Sequence, residues 1–106
     1  MSMWDQIAGI VAWIDEQSPT DEKTALLMRT MKITEEVGEV NQAVIGALAY
    51  NPRKGASHTM DDVKKELCDV ILTAAVALRT IDKDAEQTFA QNLTRVAERS
   101  KGRADG

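Results

Sequence analysis

Two segments of this chain, Ile33–Leu48 and Val63–Leu78, overlay position for position, thirty residues apart. Ile33 meets Val63, Val37 meets Leu67, Val40 meets Val70, Val44 meets Ala74 and Leu48 meets Leu78. These positions recur every three or four residues, the spacing of one face of an α-helix. In the same frame Glu36 meets Glu66 and Glu39 meets Asp69. The pattern demands two long amphipathic helices, each with a pair of carboxylates beside its apolar stripe. Carboxylates that face one another across two helices repel, and the repulsion grows as water is excluded. Something positive has to offset it.

The rest of the chain also reads as helix. Only two prolines occur, Pro19 and Pro52, and both fall where the apolar periodicity breaks. A first helix is expected over Met3 to Glu16, with Met3, Ile7, Ile10 and Ile14 on one face and Trp4 and Val11 beside it. Ser18 is the expected N-cap of a second helix, with Thr20 as the competing cap, Pro19 in the first turn and Asp21 at the positive end of the dipole. This helix is expected to run to Tyr50, with Gly38 and Gly46 as weak helix formers inside it. Asn51–His58 has no periodicity and reads as a loop. Thr59 and Asp62 form a capping box with Asp in place of Glu, opening a third helix to Thr80 with a stripe of Val63, Leu67, Val70, Ala74, Leu78 and Ile81. Asp82 or Asp84 can cap a fourth helix carrying Phe89, Leu93 and Val96. No strand-like alternation persists. The expectation is an all-α, four-helix bundle-like domain over residues 1–100, with a frayed tail over residues 101–106.

Composition narrows what such a bundle does. At 106 residues with 43% apolar content, one ordered domain is expected. The net charge of −4 argues against a nucleic-acid polymer as partner, because backbone affinity comes from Lys and Arg. A small polyphosphate chelated by a metal escapes that objection. One cysteine, Cys68, excludes an internal disulfide and a cysteine-based zinc site; it reads as a small packed residue. No secretory segment or membrane span is legible, so a cytoplasmic protein with no membrane partner is expected.

At about 100° per residue, Glu36 and Glu66 lie roughly 80° from their stripe centres, and Glu39 and Asp69 roughly 140°. Ala43 and Ala47 share this flank on the second helix, and Thr73 and Ala77 on the third. Small residues there let two helices, or two subunits, come close. A single Glu-x-x-Glu is usually a solvated helix face. Two such acid pairs in matching frames outline a cation site, and hard cations such as Mg²⁺ or Mn²⁺ take oxygen ligands and bridge to phosphates.

Glu35-Glu36-x-x-Glu39, followed by Glu66-x-x-Asp69, resembles the MazG-like family of all-α nucleoside triphosphate pyrophosphohydrolases. Its wider superfamily includes dimeric dUTPases, dCTP pyrophosphatases and phosphoribosyl-ATP pyrophosphatase. The resemblance covers Met31 to Leu78 strongly and the flanking helices loosely. It implies that Glu36, Glu39, Glu66 and Asp69 ligate Mg²⁺ and that Glu35, outside the main cage, orients or deprotonates water or binds an extra ion. The implied reaction takes a nucleoside triphosphate and water to a nucleoside monophosphate and pyrophosphate, in a homodimer or homotetramer, with nucleotide-pool house-cleaning as the role. In the family a basic, Asn-containing stretch of the last helix contacts phosphate; Gln91–Val96 matches it loosely, through Asn92 and Arg95. Two other readings fit the same residues: a phosphoribosyl-ATP pyrophosphatase-like enzyme, and a catalytically silent helical interaction module.

Arg53 and Lys54, in the loop between the two acid helices, are further candidates for phosphate contact. His58, the only histidine, reads as a surface or capping group, and its isolation argues against a di-iron carboxylate bundle, which needs Glu-x-x-His on two helices. Of Trp4 and Trp13, one is expected to pack and the other is a candidate to stack on a base. Arg95, Arg99, Lys101 and Arg103 form a basic end that suits the negative terminus of a helix.

Overall fold

The computed structural model describes the backbone of residues 1–105 and the side chains of residues 1–102; of the tail expected over residues 101–106, the side chains from Arg103 onward lie outside the described residues. The chain is all-α, as expected. Its four helices are α1 (Met3–Gln17), α2 (Glu22–Ala47), α3 (Met60–Ile81) and α4 (Ala85–Asp105). The helical backbone of α4 continues past Ser100, where the apolar pattern ends.

Helix starts follow local hydrogen-bond chemistry. Ser2 and Asp5 form a capping box on α1. The expected box on α3 is present: the Asp62 N–H donates to Thr59 Oγ1 at 3.2 Å, and the Thr59 N–H donates to Asp62 Oδ2 at 2.9 Å. The start of α2 differs from expectation. Its N-cap is Asp21, which accepts the Thr24 N–H at 2.8 Å and the Thr24 hydroxyl at 2.9 Å. Ser18 instead closes α1, where its N–H donates to the Ile14 carbonyl. An ionised carboxylate at the positive end of a helix wins this competition over a hydroxyl.

The end of α2 also differs, and the difference matters for the site. The helix stops at Ala47 rather than Tyr50. The Ala49 N–H donates to the Gly46 carbonyl and the Tyr50 N–H to the Ile45 carbonyl, with Ala49 at φ 52°. This is a Schellman ending with alanine in the left-handed position usually held by glycine.

α3 is the hub on which α1, α2 and α4 pack, α2 most extensively and α4 least. α2 and α3 run antiparallel: Gly46 meets Ser57 and His58 at one end. At the other end Arg29 Nη1 donates to Thr80 Oγ1 at 2.8 Å. Arg29 is buried, and its Nη2 also donates to Asp15 Oδ1 of α1 at 2.6 Å, so one guanidinium ties three helices.

The buried face is turned from the one the stripes suggest. In α3, Val63, Ala75, Val76 and Ala77 are buried, whereas Leu67, Ala74 and Ile81 of the stripe are exposed. In α2, Ala43 and Gly46 are buried, whereas Val37 and Leu48 of the stripe are exposed. Small residues dominate the buried positions of the two helices, and several large apolar residues of both, among them Val37, Ile45, Leu48, Leu67 and Ile71, face out. Cys68 is exposed as well, which corrects its reading as a packed residue. Ile7 and Val11 of α1 complete a small core against Ala75 and Val76, flanked by Trp4, Ile10 and Ile14. Trp4 packs and also meets Phe89 of α4, with ring centroids 6.0 Å apart; Trp13 is exposed.

Candidate metal centre

Stopping α2 at Ala47 aligns the acids. Glu39 lies eight residues before the end of α2 (39 to 47), and Glu66 six residues after the start of α3 (60 to 66). In an antiparallel pair those depths match, and the short connection needs to absorb little offset. Glu36, Glu39 and Glu66 converge, each with one carboxylate oxygen within 4.8 Å of the others. Opposite ligands of Mg²⁺ lie about 4.2 Å apart, twice its ~2.1 Å bond length.

Two of these carboxylates are largely withdrawn from water, and one of their oxygens lacks a partner. The Glu36 and Glu66 side chains are only 12% and 20% exposed. Glu66 Oε2 is buried and has no hydrogen-bond partner among the described residues. A buried carboxylate oxygen left without a donor is costly, and a hard cation is the partner such an oxygen takes. Three carboxylates supply oxygen ligands, the type that hard cations such as Mg²⁺ or Mn²⁺ take.

Two lysines stand at the edge of the cluster. Lys32, one turn before Glu36, lies 3.2 Å from Glu35 Oε1 and 3.8 Å from Glu36 Oε1. The Glu35 carboxylate holds the Lys32 ammonium above its ordinary value. Lys65 lies 3.0 Å from Asp69 Oδ2 and 3.8 Å from Glu66 Oε1, and Asp69 raises its ammonium likewise. Asp69, expected as the fourth ligand, is thus held by Lys65 beside the trio rather than within it. Glu35 is 58% exposed, outside the cluster, with Lys32 as its partner. Lys32 is the residue that sequence reasoning missed; its i, i+4 spacing to Glu36 was the available signal.

The acids sit between two unlike cavities. Toward the start of α2, Ile10, Ile14, Leu72 and Val76 line an apolar groove with Lys32, Arg29 and Thr73 at its border. Toward the end of α2, Gln42, Gly46, Asn51, Lys54, Ser57 and His58 line a polar one. Lys54 therefore faces a cavity on the side of the acids. Arg53 is exposed and does not line it. Asn92 and Arg95 bond each other on exposed positions of α4, Arg95 Nη2 to Asn92 Oδ1 at 2.7 Å, while α2 and α3 alone build the acid cluster. His58 is half-buried, with Nδ1 3.0 Å from Ser57 Oγ.

Comparison with protein-family models, curated proteins and solved structures finds no match for this chain. Among the described residues no helix is long and apolar enough to cross a membrane.

Proposed function

We propose that the chain is a Mg²⁺-dependent nucleotide pyrophosphohydrolase, cleaving a nucleoside triphosphate with water to the monophosphate and pyrophosphate. The observation that carries this reading is the convergence of Glu36, Glu39 and Glu66, beside which Glu66 Oε2 is buried with no hydrogen-bond partner among the described residues. The resemblance of Glu35-Glu36-x-x-Glu39 and Glu66-x-x-Asp69 to the MazG-like signature supports it.

In this reading Glu36, Glu39 and Glu66 would hold the ion, with Asp69, paired to Lys65 beside them, as the further carboxylate within the motif. When bound, Mg²⁺ neutralises phosphate charge and orients the reacting groups. Glu35, exposed and adjacent to Glu36, positions the attacking water and accepts its proton. Lys32, released from the carboxylates, is placed to offset charge on the phosphates. The apolar groove of Ile10, Ile14, Leu72 and Val76 suits the flat, uncharged end of a nucleotide. Hydrolysis of the bond beyond the α-phosphorus needs positioning and charge stabilisation more than covalent chemistry, and this chain offers groups for both.

A homo-oligomer accompanies this reading, since large apolar residues of α2, α3 and α4 face outward. Asn92 and Arg95, remote from the acids in their own chain's hydrogen bonding, are then candidates to serve a neighbouring copy's site. The test is pyrophosphate release from a panel of ribo- and deoxyribonucleoside triphosphates, with Mg²⁺ and with excess chelator. Release from one or more members with Mg²⁺ only, lost in Glu66→Gln, is the expected result. No release from any member removes the enzymatic reading and leaves the helical interaction module.

A further inference from the structure

The polar cavity at the end of α2 has a chemistry separate from that of the acids. Its volume is about 220 Å³, below the ~300–1,000 Å³ of pockets that enclose a drug-sized molecule. It suits a small ion or the end group of a larger ligand. No carboxylate is among its lining residues, although the chain as a whole is acidic. Lys54 supplies a cation with no ion-pair partner among the described residues. Asn51 accepts the Arg53 N–H on Oδ1 at 3.0 Å, which leaves its amide nitrogen free to donate. The Ser57 hydroxyl and His58 Nδ1 bond each other, which leaves Nε2 as the free ring nitrogen.

The loop is held in place rather than draped over the helix. The Lys54 and Gly55 N–H groups both donate to the Asn51 carbonyl, and the Ser57 N–H donates to the Gly46 carbonyl at 3.2 Å. Gly55 turns the chain at φ 62°. The ring of His58 and the hydroxyl of Ser57 occupy the space that a Cβ at position 46 would take. Near the end of α2 the carbonyls of Val44, Ile45 and Gly46, which would repel an anion, are already engaged by the Leu48, Tyr50, Ala49 and Ser57 N–H groups.

We propose that this cavity is an anion site that takes a phosphate group, with Lys54 as its charged residue and Asn51, Ser57 and His58 as polar partners. Gln42 and Gly46, on its wall, follow Glu39 by three and seven residues, roughly 5 and 10 Å along the helix. A triphosphate chain held at the acids spans that interval. The role in turnover rests on the proposed pyrophosphohydrolase reading; the anion site itself does not.

The experiment separates the two. Calorimetric titration of the full chain with inorganic pyrophosphate, in excess chelator so that the acids hold no metal, is expected to show saturable binding. Binding is expected to weaken at least tenfold in Lys54→Gln and in His58→Ala, and to be unchanged in Glu66→Gln and in the surface control Lys64→Gln. Circular dichroism melts establish that each variant is folded; where His58→Ala is not, His58→Gln replaces it. Absence of binding to wild type at millimolar pyrophosphate, or equal binding by wild type and Lys54→Gln, overturns the proposal whatever the turnover assay gives. With an active enzyme, a KM raised in Lys54→Gln at constant kcat assigns the pocket to the substrate's own phosphate. An unchanged KM with lost pyrophosphate binding assigns it to the free product.

Discussion

Gly46 and Ala49 lie one turn apart at the end of α2, and each is on the unexpected side of the usual choice between glycine and alanine. Gly46 sits inside a helix, where alanine is better by about 1 kcal/mol, yet a Cβ there would overlap the His58 ring. Overpacking of this kind costs about 1–3 kcal/mol, so the clash outweighs propensity. Ala49 holds the left-handed position at φ 52°, where a Cβ costs roughly 1–2 kcal/mol; glycine removes that cost and gives back part of it through unfolded-chain entropy. Urea unfolding is therefore expected to show Gly46→Ala destabilised by about 1 kcal/mol and Ala49→Gly stabilised by about 0.5–1 kcal/mol. Equal or reversed signs would contradict the described loop packing. Ala49 also explains a misplaced boundary: with glycine there, the sequence would have signalled the end of the helix three residues sooner. The acid pairs, by contrast, were legible, because matching frames on two helices need only periodicity to be recognised. What periodicity could not convey was the pairing of Asp69 with Lys65 rather than with the trio, a choice made by side-chain reach.

The helices themselves were legible from apolar spacing, and the α3 capping box from Thr59 and Asp62. The start of α2 was not, since Ser18, Thr20 and Asp21 all compete and only tertiary placement decides. The faces were misjudged for a physical reason. Hydrophobicity marks what can leave water, whereas burial within one chain falls on small residues such as Ala43, Gly46 and Ala77. Caps tie element stability to pH. Hydrogen bonds from Thr24 hold the Asp21 carboxyl below its ordinary value, and the Thr59 N–H does the same for Asp62. A depressed carboxyl contributes stability that is complete above its unfolded value of about 4 and is lost as pH falls through the folded one. Melting temperatures between pH 6 and pH 2 are expected to fall less steeply below pH 4 in the double variant Asp21→Asn, Asp62→Asn than in wild type. An identical pH slope would remove these caps from the acid response.

At the scale of the whole molecule the single chain is open. Its radius of gyration is 17.2 Å, against about 13 Å for a compact domain of this length. Among the described residues no large side chain is fully buried, and Ile71, Leu93 and Leu48 are 64%, 56% and 65% exposed. Burial of such side chains is worth about 1.5–3 kcal/mol each, so a second copy is the natural cover for them. Light scattering on a sizing column is expected to give a multiple of the single-chain mass, reduced toward the monomer in Ile71→Glu, which charges the groove of Met3, Trp4, Val70 and Leu78. A monomeric wild type would contradict that account. The central claim is the proposal that Glu36, Glu39 and Glu66 hold a cation. It is tested most directly by titrating the protein with Mn²⁺ and following the free ion by electron paramagnetic resonance. Wild type is expected to bind at least one ion per chain, competed by Mg²⁺, with affinity falling at least tenfold in Glu66→Gln and in Glu36→Gln. Absence of Mn²⁺ binding to wild type, or binding untouched by both substitutions, would contradict it.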